Sequence, residues 1–152
     1  MISYHKGDLL ESGCEIIAHQ VNLQGVMGGG LAKQIADKYP LCEIRYKEYI
    51  KNKLSYNILG KVFYYSFKGN KPIIANCFSQ QENFDTNYEA VKKCFIGLKE
   101  LMRYCEFKTI GVPFKYGCGI ANGDWQKVEQ IFKDIFENEE EVELQIWELV
   151  QA

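Results

Sequence analysis

The second half of the chain alternates two hydrophobic periods, and this alternation restricts the possible folds more than any other feature. Residues 72–79, 108–113 and 142–149 are short apolar stretches typical of strands. Between them, residues 87–105 and 124–138 repeat apolar side chains at the spacing of helices. Strands connected through helices pair in parallel, with helices on both faces. We therefore predict a mostly parallel sheet whose ligands bind beyond the carboxyl ends of the strands.

The first half of the chain is predicted to add three strands and two short helices. We place the strands at residues 2–6, 15–22 and 61–67, and the helices at 30–39 and 41–52. The segment KGN, which follows the third of these strands, predicts a hairpin turn into the next strand. The sequence contains no internal repeat and no linker.

Polar residues mark the starts of the two long helices. Thr86 and Glu89 have the spacing of a capping box, in which each side chain accepts a hydrogen bond from a free backbone N–H. Asp124 precedes Trp125 and is predicted to cap the second long helix. Both signals support the helix boundaries given by the hydrophobic period.

Composition is ordinary for a globular protein and narrows the function classes. Hydrophobic residues make up 47% and charged residues 25% of the 152 residues. The formal net charge of −2 argues against a general nucleic-acid-binding protein, which usually carries a basic excess. No stretch approaches the roughly 20 apolar residues of a membrane span, so we expect no membrane partner.

The six cysteines are predicted to be reduced thiols. They form no CxxC pair, and several lie inside apolar patterns, as buried free thiols do. The sequence opens without the apolar run of an export signal, so we expect a cytoplasmic protein. Without closely spaced ligand pairs we expect no metal site, and we expect no cofactor.

Two glycine-rich loops follow predicted strands and lead into predicted helices. The first, NLQGVMGGG at residues 22–30, and the second, FKYGCGIANG at residues 114–123, could each bind an anion through backbone N–H groups. Such turns are more often simple tight connections. Neither loop is a Walker A motif, and neither matches the Rossmann fingerprint, so ATP and NAD are disfavoured as ligands.

Three motifs in order give the chain a family resemblance. KGDLLES, AHQVNLQGVMGGGLAKQI and GVPFKYGCGIANGDW together resemble a macrodomain, and the resemblance covers Ile2 to Leu149. It implies one domain over residues 1–152, with a three-layer α/β/α sandwich and a mixed, mostly parallel central sheet. It also implies a cleft that binds ADP-ribose.

The resemblance is closest to the branch that processes ADP-ribose 1''-phosphate. This branch includes phosphatases of that compound, terminal ADP-ribose glycohydrolases and antitoxins that remove ADP-ribose from DNA. It implies that the chain binds ADP-ribose or an ADP-ribosylated substrate, with or without hydrolysing it. A nucleic acid would be a partner only if it carried ADP-ribose. The sequence does not indicate an oligomeric state.

The resemblance also implies which residues contact the ligand. Asp8, next to Leu9, would accept a hydrogen bond from the adenine amino group, or it could only cap a turn. Trp147 and Leu149 could line the adenine pocket, although the alternation of the last strand favours a core position for Trp147. Asn22 would contact the distal ribose, or it could simply hold its own loop together. The two phosphate loops would consist of Met27, Gly28, Gly29, Gly30 and Leu31, and of Gly117, Cys118, Gly119, Ile120 and Ala121. Tyr116 could pack near the distal ribose or in the core.

Catalytic groups are harder to assign. The glycohydrolase branch uses a lysine and an aspartate, where this chain has Ser79 or Gln80 and Ala121; none of these can replace them chemically. His19 is a candidate general acid–base or a structural histidine. Asp124 could activate water or could only cap its helix. Asn22 could also help to place a water molecule without a strong side-chain base.

Overall fold

The computed structural model describes residues 1–51, 53–81, 83–119 and 121–150, and these contain one six-stranded sheet. The strands are β1 (Ile2–Lys6), β2 (Ile16–Val21), β3 (Val62–Tyr65), β4 (Ile73–Phe78), β5 (Thr109–Pro113) and β6 (Glu143–Glu148). Their spatial order is β1-β6-β5-β2-β4-β3. The first five strands of this order run parallel, and β3 pairs antiparallel with β4 at one edge.

Helices cover both faces of the sheet. They are α1 (Gly30–Lys38), α2 (Pro40–Ile50), α3 (Ser55–Ile58), α4 (Tyr88–Cys105) and α5 (Trp125–Phe136). Short 3₁₀ turns occupy Leu9–Glu11 and Phe67–Gly69. In the described part of the chain, no helix is long and apolar enough to cross a membrane.

Two hydrophobic clusters fill the space between the layers. Along β2, Ile16 and Ala18 point to one face and pack with α4 and α5. Ile17 and Val21 point to the other face and pack with α1, α2 and α3. This alternation is the period of two expected of a strand that is buried on both faces. The predicted α/β/α sandwich with a mixed, mostly parallel sheet is confirmed.

The predicted hairpin is also confirmed. Tyr65 at the end of β3 lies opposite Ile74 near the start of β4. Lys68 and Gly69 in the connecting turn have φ angles of 52° and 73°, which reverse the chain direction within a few residues.

The predicted capping box of α4 is wrong. Asn87, one residue after Thr86, is the N-cap, and its side chain accepts a hydrogen bond from the Ala90 backbone N–H at 2.9 Å. The Thr86 hydroxyl instead donates to the Gly117 carbonyl oxygen at 2.6 Å. Asparagine caps helices as well as threonine does, so the tertiary contact decides which of the two neighbours caps.

We predict that Asn87→Ala lowers the free energy of unfolding by about 1 kcal/mol, because the Ala90 N–H loses its side-chain acceptor. Urea denaturation measures this loss. Asn87→Asp is the matched control and should keep wild-type stability, since aspartate caps equally well. A wild-type stability for Asn87→Ala would contradict the assignment of this cap.

Candidate functional site

The candidate site is a cleft at the carboxyl ends of the parallel strands, where the alternating pattern predicted it. A cavity of about 360 Å³ lies there between the turn after β1, the first turns of α1 and the ends of β5 and β6. Its lining residues are Gly7, Asp8, Leu9, Gly30, Leu31, Gln34, Pro113, Phe114, Trp147, Glu148 and Leu149. The volume is in the range of small-molecule sites.

Asp8 stands at the rim of this cleft. Its Oδ1 accepts a hydrogen bond from the Leu10 backbone N–H at 2.9 Å and so caps the 3₁₀ turn. The carboxylate is exposed, and its second oxygen is free to accept from a ligand. Leu9 lies in the wall of the cleft with its side chain largely buried in the core. Asp8 is therefore both a capping residue and an available acceptor.

Trp147 forms part of the cleft wall and also packs against the core cluster on the α1–α2 face. Its ring stacks on His5 of the neighbouring strand, with ring centroids 4.8 Å apart. A Cβ atom on Gly7 would lie 3.2 Å from the indole, and Gly7 has a φ of 140°. The absence of a side chain at Gly7 thus lets the chain pass close to this ring.

The first glycine loop ends at the amino terminus of α1. Gly29 is the N-cap and has no side chain to offer, so no side-chain hydrogen bond caps the helix. Gly28, Gly29 and Gly30 are exposed, and a Cβ atom on Gly29 or Gly30 would meet nothing within 4 Å. First-turn N–H groups beside open space can bind an anion, which the helix dipole also favours.

Residues of the first loop line two different cavities. Gly30 and Leu31 line the cleft, whereas Met27 and Gly28 line a separate cavity of about 290 Å³ that also contacts α1 and α2. The Met27 side chain is 3% exposed and packs in the core. Met27 therefore attaches the loop to the core, and any ligand contact from this residue would come from its backbone.

Asn22 organises the first loop from its start. Its Oδ1 accepts hydrogen bonds from the backbone N–H groups of Gln24 and Val26, at 3.0 and 3.2 Å. Its Nδ2 donates to the Val26 carbonyl oxygen at 2.8 Å. These contacts match the alternative that Asn22 holds its loop together. One amide hydrogen of Asn22 remains available for a further acceptor.

The second glycine loop is closed on itself and attached to Thr86. The Gly123 N–H donates to the Gly117 carbonyl oxygen at 2.9 Å, and the Thr86 hydroxyl donates to the same oxygen. The Thr86 N–H donates to the Ala121 carbonyl oxygen at 3.0 Å. Gly117 has a φ of 71°, and Gly119 has open space beside it. None of these loop residues lines the 360 Å³ cleft, whose described lining on this side consists of Pro113 and Phe114.

Two further residues of the second loop have mainly structural contacts. Tyr116 is 1% exposed, and its hydroxyl pairs with the Ser79 hydroxyl at 2.7 Å, so its side chain belongs to the core rather than to a ligand surface. Cys118 is half-buried and donates its thiol hydrogen to the Tyr116 carbonyl oxygen. Ile120 lies outside the described residues.

His19 lies inside the core, on the face packed by α1 and α2. The ring is 2% exposed, and its Nε2 pairs with Asn76 Oδ1 at 2.7 Å. Burial lowers the pKa of His19 from 6.5 to about 4, so the ring is neutral at pH 7. This position does not fit a general acid–base role and matches the alternative of a structural histidine.

Asp124 is exposed at the end of the second loop. Its Oδ1 accepts from the Gln126 backbone N–H at 2.9 Å and caps α5, as predicted. Its own N–H donates to the Tyr88 hydroxyl. Ser79 is fully buried and Ala121 nearly so, while Gln80 is half-buried. Asp124 is thus the candidate with an accessible ionisable side chain.

Sequence reasoning missed three residues that shape the two loops: Tyr46, Thr86 in its observed role, and Gly123. The Tyr46 hydroxyl contacts Asn22 across 24 positions of sequence, which no local pattern encodes. A Cβ atom on Gly123 would lie 2.3 Å from the Gly117 carbonyl oxygen. Gly123 lies within the ANGDW part of the third motif. Its position in the motif could have indicated a close backbone contact.

Comparison with known proteins places the chain among macrodomains. The Macro domain family model matches residues 18–132. A DNA ADP-ribosyl glycohydrolase of Mycobacterium tuberculosis is 29% identical over 97% of this chain. An ADP-ribose 1''-phosphate phosphatase of Saccharomyces cerevisiae is 36% identical over 50% of this chain and 44% of its own length. The macrodomain of Mycobacterium tuberculosis DarG superposes with a TM-score of 0.83 at 27% identity, covering 97% of both chains.

The chain is much shorter than its mycobacterial relative. The match covers 42% of the length of that glycohydrolase. The similarity therefore concerns one part of the longer protein.

We predict that His19 makes the fold less stable in mild acid. Because the folded-state pKa of about 4 lies below the ordinary 6.5, the unfolded chain binds more protons between these values. Stability should therefore fall as the pH drops through this window, by about 2 kcal/mol from pH 7 to pH 5. Urea denaturation of wild type and His19→Gln at both pH values tests this. If wild type and His19→Gln lose the same free energy of unfolding between pH 7 and pH 5, the predicted effect of His19 is contradicted.

We also predict that Gly123→Ala lowers the free energy of unfolding by about 1–3 kcal/mol, because its Cβ would overlap the Gly117 carbonyl oxygen. Gly119→Ala is the matched control in the same loop, since a Cβ there meets nothing within 4 Å. Chemical denaturation compares the two variants. Equal stabilities would show that the close contact between Gly117 and Gly123 does not constrain the loop.

Proposed function

Because this chain belongs to the Macro domain family, we propose that its cleft binds ADP-ribose or a molecule that carries an ADP-ribosyl group. One observation supports this most directly. Asp8, the uncapped start of α1 and Trp147 surround a single cavity at the carboxyl ends of parallel strands. A carboxylate acceptor, free backbone donors and an aromatic wall are the groups that an adenosine diphosphate requires.

The proposed ligand extends from this cavity along the two glycine loops. The adenine lies beside Trp147, with its amino group donating to the free oxygen of Asp8. The diphosphate accepts hydrogen bonds from N–H groups at Gly29 to Leu31 and from the second loop at Gly117, Gly119 and Ala121. The Cys118 N–H donates to the Lys115 carbonyl oxygen at 2.9 Å and does not take part. The distal ribose then lies near Asn22. The helix dipole of α1 favours the two negative charges of the diphosphate at this position.

A second candidate function is the removal of an ADP-ribosyl group, or of a 1''-phosphate, at the distal ribose. The names of the relatives support it, since one acts on ADP-ribosylated DNA and another on ADP-ribose 1''-phosphate. In this chain the reaction would use Asp124 to activate water and Asn22 to orient the sugar. It would not use a lysine adduct, because the resemblance aligns Ser79 or Gln80 with the lysine of the glycohydrolase branch and Ala121 with its aspartate.

The cellular setting forms part of the same proposal. We propose one domain over residues 1–152 that acts in the cytoplasm, since all six cysteines are free thiols. Its partners are ADP-ribose and ADP-ribosylated molecules, with a nucleic acid included only when it carries the modification. The net charge of −2 offers little attraction to unmodified nucleic acid.

We predict that wild type binds ADP-ribose in calorimetry and that Asp8→Asn weakens this binding about tenfold. Asparagine keeps the oxygen that caps Leu10, but an amide N–H₂ replaces the free oxygen and opposes the adenine amino group. The hypoxanthine analogue of ADP-ribose is the matched ligand, because its exocyclic carbonyl oxygen accepts where the adenine amino group donates. Asp8→Asn should bind that analogue at least as well as wild type does.

The absence of ADP-ribose binding by wild type at millimolar concentration would overturn the proposed function. If Asp8→Asn binds ADP-ribose and the hypoxanthine analogue more weakly by the same factor, the proposed binding function still stands. That result would contradict the role of Asp8 in recognising adenine.

For the second function, we predict release of phosphate from ADP-ribose 1''-phosphate or of ADP-ribose from an ADP-ribosylated DNA oligonucleotide. Asp124→Asn should reduce the rate at least tenfold, because the amide cannot accept a proton from water. His19→Gln should retain the rate, since that ring lies in the core. If wild type releases neither product, the second function is excluded and the first stands alone.

A further inference from the structure

The Tyr46 side chain joins α2 to the first glycine loop. Its ring is fully buried between the loop and the sheet. Its hydroxyl faces the carbonyl oxygen and the side-chain Oδ1 of Asn22, the latter at 2.8 Å. The same hydroxyl oxygen accepts the Gly25 backbone N–H at 3.2 Å. A single phenol thus contacts both ends of the turn that Asn22 begins.

These contacts determine which way the Asn22 carboxamide faces. The single hydroxyl hydrogen of Tyr46 is shared between the Asn22 carbonyl oxygen and Asn22 Oδ1, and the N–H groups of Gln24 and Val26 also donate to Oδ1. An amide rotated by half a turn would present N–H₂ to these donors, so the observed orientation is strongly preferred. Nδ2 donates one hydrogen to Val26 O, and within the described residues its other hydrogen has no acceptor and can serve a ligand.

The surroundings of Tyr46 make it a rigid support. The ring packs against Phe78 of β4, with ring centroids 5.9 Å apart. Burial raises the pKa of Tyr46 above its ordinary value, so the hydroxyl keeps its proton and continues to donate. On the loop side, Gly25 has a φ of 81°, and a Cβ atom there would lie 3.2 Å from the Ile50 side chain. The loop therefore lies directly against α2.

We propose that Tyr46 is a positioning residue for the distal ribose, acting through the Asn22 carboxamide that its hydroxyl holds in place. It thereby sets the preference of the site for ADP-ribose over ADP, which lacks that sugar. This inference rests on the proposed function. Adenine and diphosphate binding depend on other groups, so the contribution of Tyr46 is concentrated at the far end of the ligand.

The test compares two ligands on two tyrosine variants by calorimetry. Tyr46→Phe removes only the hydroxyl, and we expect the ratio of the ADP and ADP-ribose dissociation constants to fall about fivefold to tenfold. Tyr49→Phe is the matched control on the same helix. Its ring stacks on Phe63 and Phe78, and among the described residues its hydroxyl has no hydrogen bond. Tyr49→Phe should keep the wild-type ratio.

A double-mutant cycle tests the route through Asn22. Asn22→Ala alone should lower the ligand ratio as Tyr46→Phe does, and adding Tyr46→Phe to it should cause no further change. A wild-type ratio of dissociation constants in Tyr46→Phe would overturn the proposal. The proposal would also be overturned if the double variant showed the product of the two single-variant effects on this ratio. A purely structural role of Tyr46 would lower thermal stability and weaken the binding of ADP and ADP-ribose by the same factor. The ratio of the two dissociation constants would then stay at its wild-type value. Failure of wild type to bind ADP-ribose would instead refute the underlying function.

A second variant covers the case in which Tyr46→Phe does not fold. Gly25→Ala leaves the hydroxyl in place but pushes the turn away from the Ile50 and Lys47 side chains, which its Cβ would approach at 3.2 and 3.3 Å. We expect the same fall in the ratio of dissociation constants, because the contact between Tyr46 and Asn22 is disturbed from the other side. An unchanged ratio in a folded Gly25→Ala variant would overturn the proposal.

Discussion

The parallel pairing of five neighbouring strands is the constraint on which the rest of this structure depends. It places the carboxyl ends of β1, β6, β5, β2 and β4 at one edge of the sheet. Segments far apart in sequence, among them Asp8, Gly30 and Trp147, therefore surround one cavity. The connecting helices also begin at this edge, so their free N–H groups and positive dipole ends add to the same surface.

Short glycine loops cannot keep a binding shape by themselves, and buried hydroxyl groups supply the missing restraint here. Tyr46 holds the first loop through Asn22, and Thr86 holds the second through the carbonyl oxygens of Gly117 and Ala121. Gln20 and Ser79 extend the second arrangement into the polar interior. Each restraint comes from a different element of the fold, so the loops are positioned by the sheet and the helices together.

The hydrophobic period was enough to place the six strands and the four longer helices, because those segments are long enough for one face to be recognised, whereas the four-residue α3 was not predicted. The alternation of strands and helices along the chain also predicted that the site lies at the carboxyl ends of the parallel strands. The cap of α4 was placed one residue too early, because Thr86 and Asn87 are both capping residue types and the contact of Thr86 with Gly117 is visible only in the tertiary structure. Tyr46 was missed for the same kind of reason, because its partner Asn22 lies 24 positions away.

Polar side chains at this edge are used mainly to hold backbone, and this explains why binding is the better supported function. Asn22 directs its carbonyl oxygen into its own loop, and Asp8 and Asp124 each commit one oxygen to a cap. The histidine closest in sequence to the first loop, His19, lies in the core with a pKa of about 4. A histidine buried in this way has no access to a substrate, whereas the exposed Asp124 keeps one carboxylate oxygen outside its cap. In the proposed second function, Asp124 would act on a water molecule that the site orients against the sugar, and that orientation depends on how firmly the two loops are held.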